Sequence, residues 1–375
     1  MLTSQFPPNS AGTGNYVHNI SRKLVQKGHH VTVITRGSFK NIERQIVHGI
    51  NVFRVPFIPI YPFHVSIHGL FVNELVKKLE PQLNIVHSHI PFPPPVKTSL
   101  PSVTTVHTPM RTHARHYEET DLSAIAEKLQ STFCYRMERE IINRSDLITT
   151  VSHTVPFELS EYGVNPDDVV VIGNGVNEET FKPGEGNRNN SQYRYVLYSG
   201  RLGFGKGLFD LIKCAEKLCA AQPDLKFILA GDGPLRARLE EDASALGLQK
   251  NIIFLGRVDE DRLVPLYQNA TVFVLPSHYE GLPTVLLEAM ACGVPPVATA
   301  ISGNSEVISS RVNGILVPTK DPDMLAAGIS DLLSDENLRE EMGDAARRTI
   351  EESYTLERVC QNLLSCYNQV LQHSS

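Results

Sequence analysis

Two carboxylates eight positions apart, Glu280 and Glu288, stand in an otherwise apolar stretch from Thr271 to Val297. Glu288 is the only charge between Leu282 and Gly293, flanked by Val285, Leu286, Leu287, Ala289, Met290 and Ala291. A helix that apolar is buried nearly all round, and a carboxylate inside it needs a partner. Thr284, Glu288 and Cys292 share one helical face by i, i+4 spacing. That small polar face suits a hydroxyl-rich ligand, and the free N–H groups at the helix start suit a phosphate. From this stretch alone the plainer reading, Glu288 turned to solvent from a half-buried helix, is equally open, because Glu is rarely fully buried.

Two cations lie in a glycine-rich run, Gly200-Arg201-Leu202-Gly203-Phe204-Gly205-Lys206-Gly207. The run nearly spells the P-loop G-x-x-x-x-G-K-[ST], but its eighth residue is Gly207, so the hydroxyl that would hold Mg²⁺ is missing. No later strand ends in an acid flanked as a Walker B acid is, and Asp232 follows a glycine turn. Cations are disfavoured at the positive end of a helix dipole, so Arg201 and Lys206 point to a bound anion. A second glycine-rich start, Gly12-Thr13-Gly14-Asn15-Tyr16-Val17, falls one residue short of G-x-G-x-x-G. No acid follows about 20 residues on; the next apolar run ends in Thr35-Arg36-Gly37. A dinucleotide dehydrogenase is therefore disfavoured. The layout still suits an anion, and equally a helix start that needs small residues. His107 ends the run Thr104-Thr105-Val106, where a lone histidine is more often structural.

These residues must be carried by regular elements. Apolar, β-branched runs predict strands at 31–35, 50–56, 84–90, 102–107, 147–152 and 169–173, then at 193–199, 226–230, 252–255, 271–275, 296–299 and 314–317. Helical patterns fall at 15–27 (closed by Gly28), 66–80, 122–144 and 154–162 in the first half, between strands in the second, and at Leu356–Leu371. Alternating β and α implies parallel sheets covered on both faces, with ligands beyond the strand C-termini. The 375 residues exceed one ordinary core and suit two α/β domains of about 150–200 residues. Lys182 to Ser191 is polar, without apolar anchors, and reads as the linker.

Composition narrows the function. Charged residues are 20% and apolar ones 41%, an ordinary globular composition. The net charge of −6 makes nucleic acid an unsuitable partner. No apolar run approaches the roughly 18–20 residues of a membrane span, and MLTSQFPPNS lacks a signal-peptide pattern. Six cysteines without C-x-x-C spacing read as buried thiols in a reducing cytosol. His29-His30 and the His87/His89 pair lack a companion carboxylate and read as structural. With no Asp-x-Asp or His cluster placed to hold one, no catalytic metal is expected. Residues 56–71, with three Phe among few charges, fit either a core loop or an apolar patch for a lipid acceptor or membrane surface.

Taken together, the motifs resemble those of the retaining family 4 glycosyltransferases (group 1 glycosyl transferases), and the resemblance covers nearly the whole chain. Glu280-x7-Glu288 matches that family's donor-site acids. The resemblance implies that Glu280 contacts hydroxyls of the transferred sugar and Glu288 the ribose. Gly281, Leu282, Pro283 and Thr284 form the mouth between them. Gly-Arg201-Leu-x-x-x-Lys206-Gly matches the diphosphate clamp, where two cations meet the roughly one extra negative charge left on the nucleotide. Ala11-Gly12, or Gly12 with Gly14, stands where Gly-Gly is usual and would face the diphosphate. His107 matches the histidine beside the reacting sugar carbon. Asn174-Gly-Val-Asn177 stands where Asn-Gly-Val-Asp is usual. Gly231-Asp232-Gly233-Pro234 resembles the turn near the nucleotide, and the segment with Arg257 and Val258 the one against the base.

The implied fold is α/β, with two Rossmann-like domains (GT-B) facing across a cleft. Residues 1–182 would form the acceptor side and 192–352 the nucleotide-sugar side, with 353–375 returning to the first domain as a helix. The implied activity is retaining transfer of a hexose or N-acetylhexosamine from a nucleotide-diphosphate sugar to a hydroxyl of a glycan, lipid or small molecule. It would need no cofactor and no catalytic metal, in the cytoplasm or on the cytoplasmic membrane face. The alternatives are a P-loop-like ATPase or switch, and a non-catalytic sugar-nucleotide-binding protein of the same fold.

Overall fold

The computed structural model describes residues 1–8, 12–60, 63–115, 122–184 and 194–373, with side chains left aside at 113–132. The chain divides into two compact units, Met1–Asn174 with Leu356–Ser375, and Gly175–Thr355.

The first unit holds β1 (Thr32–Arg36), β2 (Glu43–Val47), β3 (Ile50–Val55), β4 (Val86–Ile90), β5 (Ser102–Val106), β6 (Leu147–Thr150) and β7 (Val169–Val171). Its helices are α1 (Gly12–Gln26), α2 (His64–Leu79), α3 (Met110–Arg115), α4 (Leu122–Arg144), α5 (Val155–Leu159) and the C-terminal helix (Leu356–His373). The strands form two runs, β1-β3-β2 and β4-β5-β6-β7, parallel except where β2 meets β3. One residue joins the runs: Leu2 bridges Ile34 and Ser88. Its N–H donates to the His87 carbonyl at 2.7 Å, and its carbonyl accepts from His89 N–H at 2.9 Å. The short apolar start thus serves as a strand of one bridging residue.

Strand β2 was not foreseen. It is exposed along most of its length, so it lacks the alternation that marks a half-buried strand. Its turn does carry a signal. His48 (φ 50°) and Gly49 (φ 80°) both lie in the left-handed region, as a two-residue hairpin turn requires.

The apolar face of α1 (Tyr16, Val17, Ile20, Leu24) packs with Val359, Cys360, Leu363 and Tyr367 of the C-terminal helix in one core. Lys23 and Lys27 pair with Glu357 at 2.9 and 2.6 Å. Their hydrogen bonds hold the Glu357 carboxyl down to about 2.

The second unit holds β8 (Tyr195–Ser199), β9 (Lys226–Ala230), β10 (Ile252–Gly256), β11 (Val272–Leu275), β12 (Pro296–Thr299) and β13 (Ile315–Val317). Around them lie α6 (Leu208–Ala221), α7 (Arg236–Ala245), α8 (Glu260–Asn269), α9 (Thr284–Ala291), α10 (Ser302–Val307), α11 (Pro322–Ser334) and α12 (Glu336–Ser353). The sheet is wholly parallel in the order β10-β9-β8-β11-β12-β13. Counted from β8 this is the doubly wound order 3-2-1-4-5-6, and the order reverses between β8 and β11, where such sheets bind ligands.

The division between units corrects the boundary expected at 182–191. The chain changes unit at Asn174/Gly175, because the next residues are tied into the second unit. Val176 N–H donates to the Tyr354 carbonyl at 3.0 Å. Arg347 Nη1 donates to the carbonyls of Phe181 and Ala291 at 2.9 and 2.8 Å. The polar run from 185 to 191 lies outside the described residues.

Candidate functional site

At the reversal point the loops after β8 and β11 interlock. His278 N–H donates to the Gly205 carbonyl at 2.8 Å, and His278 Nε2 lies 3.1 Å from Asp210 Oδ2 in the first turn of α6. Gly207 has φ +62°, and a Cβ there would overlap the carbonyl oxygen of Pro276. The serine or threonine of a P-loop therefore has no room at this position, and the P-loop reading is not favoured. Glycine is required next door for the same reason of close approach. A Cβ on Gly231 would overlap the Gly200 carbonyl, and one on Gly233 the Leu202 carbonyl. Leu202 N–H donates to the Asp232 carbonyl, and Leu235 N–H to the Leu202 carbonyl, each at 3.0 Å.

This framework brings Lys206 and Glu280 together. Lys206 Nζ lies 2.6 Å from Glu280 Oε1, with 29% and 14% of the two side chains exposed. Ser277 Oγ donates to the same oxygen at 2.7 Å. Arg201 is exposed on the same loop, its carbonyl held by the Tyr198 hydroxyl at 3.0 Å. Helix α9 starts at Thr284, with Pro283 as its N-cap in an extended conformation. Gly281, Leu282 and Pro283 are buried at its mouth. The helix closes before Gly293 (φ 71°).

Glu288 does not turn freely to solvent. It is partly buried, and its Oε2 accepts from the Tyr267 hydroxyl at 2.9 Å. Burial pushes the Glu288 carboxyl up to about 7, against the pull of that hydrogen bond. Neither Tyr267 nor Ser277 was singled out from the sequence. Ser277 is three residues from Glu280 and was legible as a strand-end hydroxyl. Tyr267 reaches Glu288 from α8, across 21 residues of chain, and only the packing of α8 on α9 reveals it. Arg257, exposed, and Val258, half-buried, follow β10, whose last carbonyl, on Gly256, accepts from Gly231 N–H at 2.8 Å.

The remaining expected residues lie in the first unit. Gly12 and Gly14 are in the first turn of α1, which begins three residues before the expected Asn15, so they are helical rather than loop residues. Gly12 is exposed and Gly14 buried; Ala11 lies outside the described residues. Asn174 is buried at the end of the unit. His107 follows β5 and is 7% exposed. Its Nε2 lies 3.4 Å from His89 Nδ1, and the Tyr16 ring meets it edge-on at 4.8 Å. Burial lowers the His107 pKa to about 3, so the ring is neutral.

Residues 56–71 are divided between buried and exposed positions. Val65, His64 and His68 are buried, while Ile60, Phe63 and Leu70 are exposed; Tyr61 and Pro62 lie outside the described residues. All six cysteines are free and buried. Among the described residues, no three His, Cys, Asp or Glu side chains are grouped as metal ligands, and no helix is long and apolar enough to cross a membrane.

Residues 169–349 match the family described as Glycosyl transferases group 1, and residues 10–180 the one described as Glycosyltransferase Family 4. An uncharacterized glycosyltransferase of Methanocaldococcus jannaschii is 31% identical, over 99% of this chain and 98% of its own. The gpi3 subunit of the phosphatidylinositol N-acetylglucosaminyltransferase of Schizosaccharomyces pombe is 26% identical, over 89% of this chain and 73% of its own. Among solved structures, the sucrose-phosphate synthase of Thermosynechococcus elongatus superposes with a TM-score of 0.84 at 21% identity, covering 99% of this chain and 98% of that one. Anabaena HepE in complex with UDP-glucose gives 0.76 at 18% identity, covering 98% of each. The fold is that of the GT-B glycosyltransferases, α/β with parallel sheets.

Proposed function

Because the chain belongs to the group 1, family 4 glycosyltransferases, we propose that it moves a hexose or N-acetylhexosamine from a nucleotide-diphosphate sugar to a hydroxyl acceptor, with retention and without a divalent metal. The observation that carries this reading is the pair of acids at the reversal point of the second sheet, each held by its own partner: Glu280 by Lys206 and Glu288 by Tyr267. In this reading Lys206 and Arg201 face the diphosphate, Glu288 accepts from the ribose hydroxyls, and Glu280 accepts from the sugar. Gly231, Gly233, Arg257 and Val258 line the nucleotide, and Gly281 to Thr284 the mouth of α9. Gly12, Gly14, His107 and Asn174 act from the first unit. A solved complex of similar fold holds UDP-glucose, which supports a donor of this class.

The bond from the anomeric carbon to the diphosphate oxygen breaks, and its electron pair leaves with the nucleotide. The two cations stabilise that charge as it develops, so positive charge need not come from a metal. The acceptor oxygen then bonds to the same face, and its proton passes to the departing phosphate. Glu280 is poorly disposed to be a covalent nucleophile, since one oxygen is already taken by Lys206 and Ser277.

The same reading puts the protein in the cytoplasm, where buried thiols stay reduced. A lipid acceptor could meet the exposed Phe63 and Leu70 at the membrane face.

A thermal-shift screen with UDP-, GDP- and ADP-sugars tests the proposal. A donor at 100 times its Kd raises stability by about 2.7 kcal/mol, and one base should stand out. No shift with any of the three would remove the nucleotide-sugar reading.

A further inference from the structure

His87 and His89 are two residues apart on β4 and so point to one face of the sheet. Their rings stack with centroids 4.0 Å apart. Beyond the end of neighbouring β5, His107 completes a row of three, 5.6 Å from His89 between centroids. Each neutral imidazole has one N–H and one lone pair to place. Those of His87 are both met, Nδ1 by the Tyr367 hydroxyl at 2.6 Å and Nε2 by Thr105 Oγ1 at 2.7 Å.

His89 differs. Its Nδ1 faces His107 Nε2 at 3.4 Å, and its buried Nε2 has no hydrogen-bond partner. Orphaned N–H groups are rarer in protein interiors than orphaned acceptors, so the proton belongs on Nδ1. Burial keeps both rings neutral. A proton on His89 Nδ1 then donates to His107 Nε2, and His107 must carry its own proton on Nδ1.

We propose that His89 is a positioning residue that fixes His107 as the Nδ1–H tautomer, so that His107 meets the substrate as a hydrogen-bond donor to an acceptor oxygen. This rests on the reading of His107 as a site residue for sugar transfer. The opposite tautomer would offer the substrate a lone pair and favour a hydroxyl donor instead. The row is therefore a device for choosing the sign of one hydrogen bond, and it works with no charge in the row.

Long-range ¹H–¹⁵N spectra of protein labelled with ¹⁵N-histidine read the tautomer directly, with the His107 signals assigned from their loss in His107→Gln. In the wild type, His107 should show a protonated Nδ1 and a bare Nε2; the reverse pattern overturns the proposal. In His89→Phe the volume is nearly kept and the hydrogen bond lost. His107 should move toward the Nε2–H form and kcat should fall about tenfold, the usual effect of one hydrogen bond, with the KM for donor little changed. In His89→Asn an amide N–H returns near the place of Nδ1, and both tautomer and kcat should recover. An unchanged tautomer in His89→Phe, or a changed tautomer with unchanged kcat, also overturns it. Should His89→Phe fail to fold, the wild-type spectrum and His89→Asn still decide. If the wild type shows the assigned tautomer yet transfers no sugar from any nucleotide donor, the functional reading fails while the tautomer assignment stands.

Discussion

The ends of β8 and β11 carry a cation–carboxylate pair, and the ends of β4 and β5 carry a row of buried imidazoles. In the second unit an exposed arginine and a partly exposed lysine–carboxylate pair sit on loops whose backbones touch through glycine. In the first, three neutral imidazoles lie buried in a row beside tyrosine and threonine hydroxyls. The contrast follows from what each region can desolvate. A diphosphate brings its own charge, so the loops that hold it can keep cations wet until it binds. A buried imidazole holds its geometry only by remaining neutral, since an unpaired charge there is expensive. One unit is thus equipped to answer charge and the other to set direction.

That comparison breaks first at the cations. Arg201→Ala and Lys206→Ala should each lower turnover by about 10²–10³ with the circular dichroism spectrum unchanged. Near-normal turnover in either variant would remove the charge-answering role.

Glu288→Gln comes next. It should weaken free nucleotide diphosphate by about 1.5–3 kcal/mol in calorimetry. Glu280→Gln should bind it at least as tightly as wild type, because Lys206 is released from its carboxylate, while transfer is impaired. Equal affinity for all three proteins would reduce Glu288 to a structural acid. The pH dependence sharpens the point. The Glu288 carboxyl is raised from 4.5 to about 7, and a ribose needs the ionised form, so affinity should fall as pH drops below that value. Stability runs the other way. Between those two values the folded protein holds a proton that the unfolded chain has released, so this contribution is full below 4.5 and is lost as pH rises toward about 7. Glu288→Gln should flatten both profiles; matching wild-type profiles would mean another group titrates.

A smaller effect is expected in the neutral region. His107→Ala should lower turnover about tenfold and leave calorimetric affinity for nucleotide diphosphate unchanged. A loss of that affinity would merge the two roles. Smallest of all, EDTA should leave activity as it was; an absolute need for Mg²⁺ or Mn²⁺ would mean that Arg201 and Lys206 do not suffice.

The parallel strands of the second unit were legible because each is a short apolar run, most of them closed by Gly or Pro, and the glycines at 200–207 and 231–233 marked where backbones approach. The acids and cations were legible as types in order along the chain. The partners were not. Tyr267 reaches Glu288, and His89 reaches His107, through packing of separate elements, which sequence spacing does not record. Strand β2 escaped because it faces water. The boundary was misplaced because polar residues mark exposure, whereas membership in a unit depends on bonds such as those of Arg347.

The pairing of α1 with the C-terminal helix bears on how the protein is made. Lys27 and its partner Glu357 are separated by 330 residues, while the second unit is contiguous from Gly175 to Thr355. During synthesis the second unit can therefore close before the first is complete. Until the last helix emerges, the apolar face of Tyr16, Val17, Ile20 and Leu24 lacks its cover. Distant contacts of this kind slow folding, and transiently bare apolar surface invites aggregation. That face of α1 is where a chaperone would have to hold the nascent chain.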